Sequence, residues 1–191
     1  MKRSGTSAGR LRIIAGRWRG RKISIAKDPA LRPTPNRVRE TLFNWLQPLI
    51  QGKTCLDLFA GSGALGFEAL SRGAASVTMV EQNADSASML IQQGAELGAE
   101  GLSVVNDNAE HFLESNQTGF DIVFLDPPFA EDYLQKCCES LLNMGNLNPA
   151  ALLYLESDSD IAVKPPYTIL KRSRAGKVQF MLLEIDSGRV Q

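Results

Sequence analysis

A mostly parallel α/β sheet with helices on both faces, preceded by a small basic hairpin, is the fold that the sequence predicts. Three observations carry that reading. From Gly52 onward, short apolar runs alternate with longer helical stretches, the order that builds a parallel sheet covered on both sides. A glycine-rich turn, Gly61-Ser62-Gly63-Ala64-Leu65-Gly66, follows the first of those runs. Acids interrupt the apolar runs at matching ends, at Asp57, Glu81 and Asp126.

The elements follow in order. Leu11 to Gly16 and Ile23 to Ala26 are short apolar stretches flanking Gly16-Arg17-Trp18-Arg19-Gly20-Arg21-Lys22, where two glycines punctuate a turn. From residue 34 the apolar period lengthens from two to about four. Thr34-Pro35 marks a helix start, with Pro expected at the first helical position, and Val38, Leu42, Trp45, Leu46 and Ile50 share one face. Strands are expected at Thr54 to Phe59, Ser76 to Val80, Leu102 to Val105, Phe120 to Leu125 and Ala151 to Leu155, with helices near 64–72, 84–97, 108–115 and 131–143. Runs near Thr168 to Leu170 and Val178 to Ile185 suit a closing antiparallel pair, giving seven strands in the sheet. The expected organisation is a basic arm and hairpin over residues 1–33, the main domain over 34–186 and a tail over 187–191.

Composition bounds what this fold does. A chain of 191 residues with 43% apolar residues buries one substantial core. No window approaches the roughly 18 apolar residues of a membrane span, and no apolar h-region follows the basic N-terminus, so a cytoplasmic, membrane-free protein is expected. The three cysteines, Cys55, Cys137 and Cys138, form neither a disulfide framework nor a metal knuckle, and a single histidine, His111, makes a metal site or a His-based triad improbable. Net charge is zero, yet residues 1–53 hold 13 of the 21 Lys and Arg with only Asp28 and Glu40 as acids, leaving that part +11 and the remainder −11. A basic arm of this kind meets a polyanion. Arg12, Arg17, Arg19, Arg21 and Lys22 are candidate phosphate contacts, with Trp18 either stacking on a base or packing the hairpin down.

Ligands of such sheets bind at the carboxyl ends of the strands. The glycine spacing alone suits a dinucleotide, but Asp57 places an anion beside the loop, which disfavours a pyrophosphate and welcomes a cationic amine or sulfonium. Glu81 ends the second strand of the main domain, placed to accept from both hydroxyls of an unphosphorylated ribose, which suits either NAD or S-adenosylmethionine. After the third comes Asn106-Asp107-Asn108-Ala109, where an Asx side chain caps the next helix or faces an adenine amine.

The fourth of these strands runs into Phe124-Leu125-Asp126-Pro127-Pro128-Phe129. An exocyclic amine on a nucleobase is a poor nucleophile because its lone pair is delocalised into the ring. Accepting hydrogen bonds from both of its N–H groups returns that lone pair to the nitrogen. Asp126 offers one acceptor and a carbonyl beside the prolines a second, while two prolines stiffen the turn and remove competing N–H donors. Phe129 supplies a face for an unstacked base, worth on the order of 1–3 kcal/mol.

This pattern resembles the class I, Rossmann-like, S-adenosylmethionine-dependent methyltransferases, and DPPF resembles the [N/D]PP[F/Y] motif of nucleic-acid amino methylators. Leu11 to Lys22, Leu31-Arg32-Pro33-Thr34, Arg37 to Leu46, Asp57 to Gly73, Tyr154-Leu155-Glu156 and Ala175-Gly176-Lys177-Val178 resemble the RsmD family of bacterial small-subunit ribosomal RNA guanine-N2 methyltransferases. The resemblance implies catalytic contacts at Asp126, Pro127, Pro128 and Phe129. It implies cofactor contacts at Asp57, Phe59, Ala60, Gly61, Ser62 and Gly63, and further ones at Glu81, Gln82, Asn108 and Ala109. The wider fold usually has Asp where Asn108 stands, and here the acid is Asp107. The implied cofactor is S-adenosylmethionine, leaving as S-adenosylhomocysteine, with no metal. The implied partner is 16S ribosomal RNA in the small subunit or its precursor, at the N2 amine of one guanine (guanine 966 in the family), served by a monomer. An adenine-N6 or cytosine-N4 DNA methyltransferase, and a nicotinamide-dependent enzyme or nucleotide-binding module, are the competing expectations.

Overall fold

A computed structural model describes residues 9–25, 35–127, 131–158 and 162–186. Strands β1 (Arg10–Arg12) and β2 (Lys22–Ser24) form an antiparallel hairpin. Then follow α1 (Asn36–Leu46), β3 (Thr54–Asp57), α2 (Ala64–Ser71), β4 (Ser76–Val80), α3 (Ala84–Leu97), β5 (Leu102–Val105), α4 (Ala109–Ser115), β6 (Phe120–Leu125), α5 (Glu131–Asn143), β7 (Leu147–Ser157), β8 (Tyr167–Ala175) and β9 (Val178–Ile185). The main sheet has the order β5-β4-β3-β6-β7-β9-β8, parallel from β5 to β7, with β9 antiparallel to both of its neighbours. The Rossmann-like α/β fold with a mostly parallel seven-stranded sheet is therefore what the chain forms. Its topological switch lies at β3, where the order turns from β4 and β5 on one side to β6 and β7 on the other.

Several boundaries differ from expectation, three of them for a clear local reason. Pro35 occupies the N-cap of α1 (φ −55°, ψ 142°), so the helix starts one residue later, at Asn36. β3 ends at Asp57 because Leu58 leaves the ladder while its N–H still donates to the Phe124 carbonyl at 3.2 Å. β7 starts at Leu147, ahead of the expected Ala151, through an irregular segment where the register against β6 shifts between Phe120 and Ile122. Thr34, Pro128 and Phe129 lie outside the described residues.

α2 is buried at every residue from Ala64 to Ser71. A helix apolar all round must be covered all round, and here the sheet covers one side and the hairpin the other. Leu11, Ile13, Trp18 and Ile23 of the hairpin join the same hydrophobic cluster as Val38, Phe43, Phe67 and Phe124. The basic hairpin is thus part of the core, not an appendage to it. Trp18 is 8% exposed with the Arg17 guanidinium 4.1 Å over its ring, which decides its role in favour of packing.

Polar contacts fix the hairpin on α2. The fully buried Glu68 accepts from the N–H groups of Ile14 (Oε2, 2.8 Å) and Ala15 (Oε1, 3.0 Å) and pairs with Arg72 Nε at 2.7 Å. Ser71 accepts from Trp18 N–H through its hydroxyl and from Arg17 N–H through its carbonyl. Gly16, at φ +80°, lies so close that an added Cβ would stand 1.8 Å from the Ser71 carbonyl oxygen. Among the described residues no helix is long and apolar enough to cross a membrane.

Glu68→Ala leaves a buried guanidinium and two buried N–H groups without their acceptor, which should cost about 3–5 kcal/mol. Urea unfolding measures it, and a loss under about 1 kcal/mol would show the clamp to be dispensable.

Candidate active site

Asp57 ends β3 and its side chain turns back into the fold, where Oδ2 accepts from the Gly66 N–H at 3.0 Å. That bond closes the turn from strand to helix. Gly63 is the N-cap of α2 in the left-handed region (φ 73°), and a Cβ there would lie 2.6 Å from Leu90 and Phe67, so this position admits no side chain. The Ala60 N–H donates to the Val80 carbonyl (2.9 Å), binding the loop to the end of the neighbouring strand. Ala60, Gly61, Ser62 and Gly63 are buried and Phe59 is half-buried, its ring edge-on to Tyr133 of α5 at 5.8 Å.

Glu81 follows β4 and is engaged on both oxygens, Oε2 by Gly61 N–H and Oε1 by Asn83 N–H, each at 2.8 Å. These bonds aim the carboxylate across the glycine loop. Each oxygen keeps a second lone pair for a ligand hydroxyl. Gln82 is exposed beside it. Asn106 donates through Nδ2 to the carbonyls of Glu81 (2.8 Å) and Gln82 (3.1 Å), pinning the ends of β4 and β5 together.

Asn108 caps α4: its Oδ1 accepts from the His111 N–H at 2.8 Å, and Ala109 is buried behind it. Asp107 accepts from Asn108 N–H and pairs with His111 Nδ1 at 2.5 Å. The pairing holds the Asp107 carboxyl below the usual carboxylate range and the imidazole above its own. His111 is accordingly an exposed helix-start residue.

Asp126 and Pro127 leave β6 half-buried, one strand over from Asp57. Burial, opposed by the Gly66 N–H and helped by the charges of Asp126 and Glu81, raises the Asp57 carboxyl to about 7. Three acids from three adjacent strand ends therefore act on one another. The site concentrates negative charge, which attracts a cationic ligand and repels a pyrophosphate. A fourth acid, Glu156 of β7, was not legible as a site residue: it is buried, accepts from the Tyr154 hydroxyl at 2.6 Å, and is pushed up to about 8 by burial and by Asp126. Among the described residues no group of three or more His, Cys, Asp or Glu is placed to hold a metal ion.

The basic candidates lie elsewhere. Arg12, Arg17, Arg19, Arg21 and Lys22 are all exposed. Their turn docks against Ser71, the last residue of α2, whereas the glycine loop sits at the first. Eight helical residues span about 12 Å, so the hairpin tip is at the amino edge of the sheet and Asp126 at the carboxyl edge. The structure does not bring the two sets together.

Comparisons with known proteins show the family and the fold. The family model described as "Conserved hypothetical protein 95" matches residues 11–184. The chain is 45% identical over 185 residues to the ribosomal RNA small subunit methyltransferase D of Escherichia coli strain K12, covering 95% of this chain and 93% of that one. The solved structure of Escherichia coli yhhF, provisionally assigned as a methyltransferase, matches with a TM-score of 0.87 at 42% identity, over 94% of this chain and 99% of that one. A protein from Streptococcus mutans provisionally assigned as an S-adenosylmethionine-dependent methyltransferase shares the fold alone, at TM-score 0.71 and 15% identity, over 97% of this chain and 57% of that one.

Asp57 and Glu156 hold their protons more tightly folded than unfolded, so their contribution to stability is whole below pH about 4 and is lost as pH rises through about 7 and 8. The ligand-free protein should therefore unfold at lower urea at pH 9 than at pH 5. Asp57→Asn should flatten the earlier part of that decline; an unchanged profile would mean that Asp57 is already ionised.

Proposed function

Since the chain belongs to the RsmD family, we propose that it methylates the exocyclic N2 amine of one guanine in 16S ribosomal RNA, within the small subunit or its precursor. At the coarser level it is an S-adenosylmethionine-dependent ribosomal RNA methyltransferase. The observation that carries the reading is the adjacency of Asp126-Pro127, at the end of β6, to the acid-lined glycine loop at the end of β3.

The residues fit the cofactor. Asp57 and the neighbouring acids favour its positive charge, and the spare lone pairs of Glu81 suit the two ribose hydroxyls. The Asn108 oxygen is engaged in the helix cap and both Asp107 oxygens are engaged, by the Asn108 N–H and His111 Nδ1, so either residue would meet the adenine amine through a second lone pair. When bound, the cofactor supplies a methyl group bonded to a sulfonium.

The rest belongs to the chain. Asp126 accepts one N–H of the target amine and the backbone carbonyl at Pro127 the other, restoring the lone pair to nitrogen, while Pro128 stiffens the turn and Phe129 stacks the base. The hairpin cations hold ribosomal RNA phosphates at a distance from the target base, a task that follows RNA shape.

Asp126→Ala should lower turnover roughly 100-fold or more with cofactor affinity near that of the wild type; equal loss of cofactor binding would assign Asp126 to the cofactor site. Replacing Arg17, Arg19 and Arg21 with Gln should reduce the salt-dependence slope of RNA binding by roughly 0.7–0.9 for each phosphate that is no longer neutralised, whereas an unchanged slope would free the hairpin of that role. The reaction itself is tested by methyl transfer to unmethylated small subunits and nucleoside identification. N2-methylguanosine supports the proposal; N6-methyladenosine, or label on DNA alone, rejects it.

A further inference from the structure

β7 lies directly beside β6 in parallel register, with Phe124 opposite Tyr154 and Leu125 opposite Leu155. The next residue of each strand is an acid, Asp126 and Glu156. Glu156, within β7, follows the alternation onto the face that buries Phe124 and Tyr154, while Asp126 is the first residue after β6 and acts on Glu156 by its charge. Glu156 is 7% exposed, and its Oε2 is held by the Tyr154 hydroxyl at 2.6 Å, which among the described residues leaves Oε1 for another donor.

Within the fold this acid satisfies the buried Tyr154 hydroxyl, a task that a neutral acceptor performs as well. Its strand neighbours Leu153 and Leu155 are core residues, and Phe180 stands opposite on β9. A carboxyl buried next to a second carboxyl destabilises the ligand-free protein, and a neutral acceptor here would not. Two acceptors side by side at the mouth of the site call for a ligand with two adjacent donors.

Among the bases with an exocyclic amine, guanine alone has such a pair. Its N2 amine is flanked by the N1–H, whereas the adenine amine is flanked by the N1 lone pair and the cytosine amine by the N3 lone pair. With Asp126 accepting from the amine, and with guanine N1–H and the cationic cofactor favouring the ionised form of Glu156, its acceptor is satisfied by guanine and faces an opposing lone pair on the other two. We propose that Glu156, oriented by Tyr154, accepts from guanine N1–H and is the residue that makes this site take guanine. The assignment rests on the guanine-N2 reading above and adds its specificity determinant.

The test uses target RNA carrying guanine or 2-aminopurine at the methylated position, reconstituted into small subunits. 2-Aminopurine keeps the N2 amine and presents a lone pair at N1. It also lacks O6, a difference common to every enzyme variant, so a change in the ratio between variants reports on N1. Wild type should favour guanine in kcat/KM by on the order of 10–100-fold. Glu156→Gln, whose amide can turn an N–H toward the N1 lone pair, should narrow that ratio at least fivefold with S-adenosylmethionine affinity unchanged. Glu156→Asp, which withdraws the carboxylate by one methylene, should lower guanine turnover, narrow the ratio in part, and serve as the readout if the Gln variant does not fold. A ratio equal to that of the wild type in the folded variants overturns the Glu156 assignment while N2-methylguanosine remains the wild-type product. Any other wild-type product overturns the guanine-N2 reading and this assignment with it.

Discussion

The Glu68 carboxylate is the constraint on which the arrangement of this molecule depends. It is fully buried in the middle of α2, the helix that begins at the glycine loop, and it takes the Ile14 and Ala15 N–H groups of the hairpin together with the Arg72 guanidinium. Beside it lies Arg39, also fully buried, whose Nη2 donates to the Arg12 carbonyl and to Asn36, and whose charge is offset chiefly by Glu68. Among the described residues, Nε and Nη1 of Arg39 have no hydrogen-bond partner. Such a network is weak evidence for stability, since an apolar replacement of the same volume often does as well. Its effect is register: one placement of the hairpin satisfies Glu68, and that placement presses Gly16 onto the Ser71 carbonyl.

Because the hairpin is fixed there, the charge asymmetry of the chain becomes a separation in space. Acids gather at the carboxyl edge, where Asp57, Glu81, Asp126 and Glu156 end or follow four strands. Exposed cations of the hairpin stand at the amino edge, about one α2 length away. An RNA that engages both must extend past a single nucleotide's reach, which favours a folded substrate over a short oligonucleotide. In the proposed reading, electrostatic attraction and base chemistry are carried by different ends of the protein, and phosphate binding need not disturb the acid cluster.

Much of this was legible in the chain. β4, β5 and β6 carry continuous apolar runs bounded by turn residues, and their limits are those expected. The glycine loop and the acids at strand ends were legible because strand order in sequence also sets which loops share an edge. Glu68 was not, since a glutamate within a helix ordinarily faces water and only the packed hairpin reverses that. Tyr154 and Glu156 were hidden for another reason: their meaning depends on β7 lying beside β6, and adjacency in a sheet is a property of topology rather than of any local spacing. Trp18 sat among four cations and read equally as a stacking platform or an anchor; its burial under Arg17 decides for the anchor.

The acid cluster also links cofactor binding to protonation. Without a ligand, the Asp57 carboxyl is raised to about 7 by burial and by its acidic neighbours, so near neutral pH a large fraction carries a proton. A cation arriving beside the glycine loop favours the ionised form, and binding then expels that proton. The cost of ionising a buried acid is set against the attraction it gains, so affinity should rise as pH climbs through that range while the ligand-free fold weakens over the same range. The feature that destabilises the empty protein is therefore the one that discriminates for a positively charged ligand, and the Gly66 N–H, holding Asp57 in either state, keeps the loop in place while its charge changes.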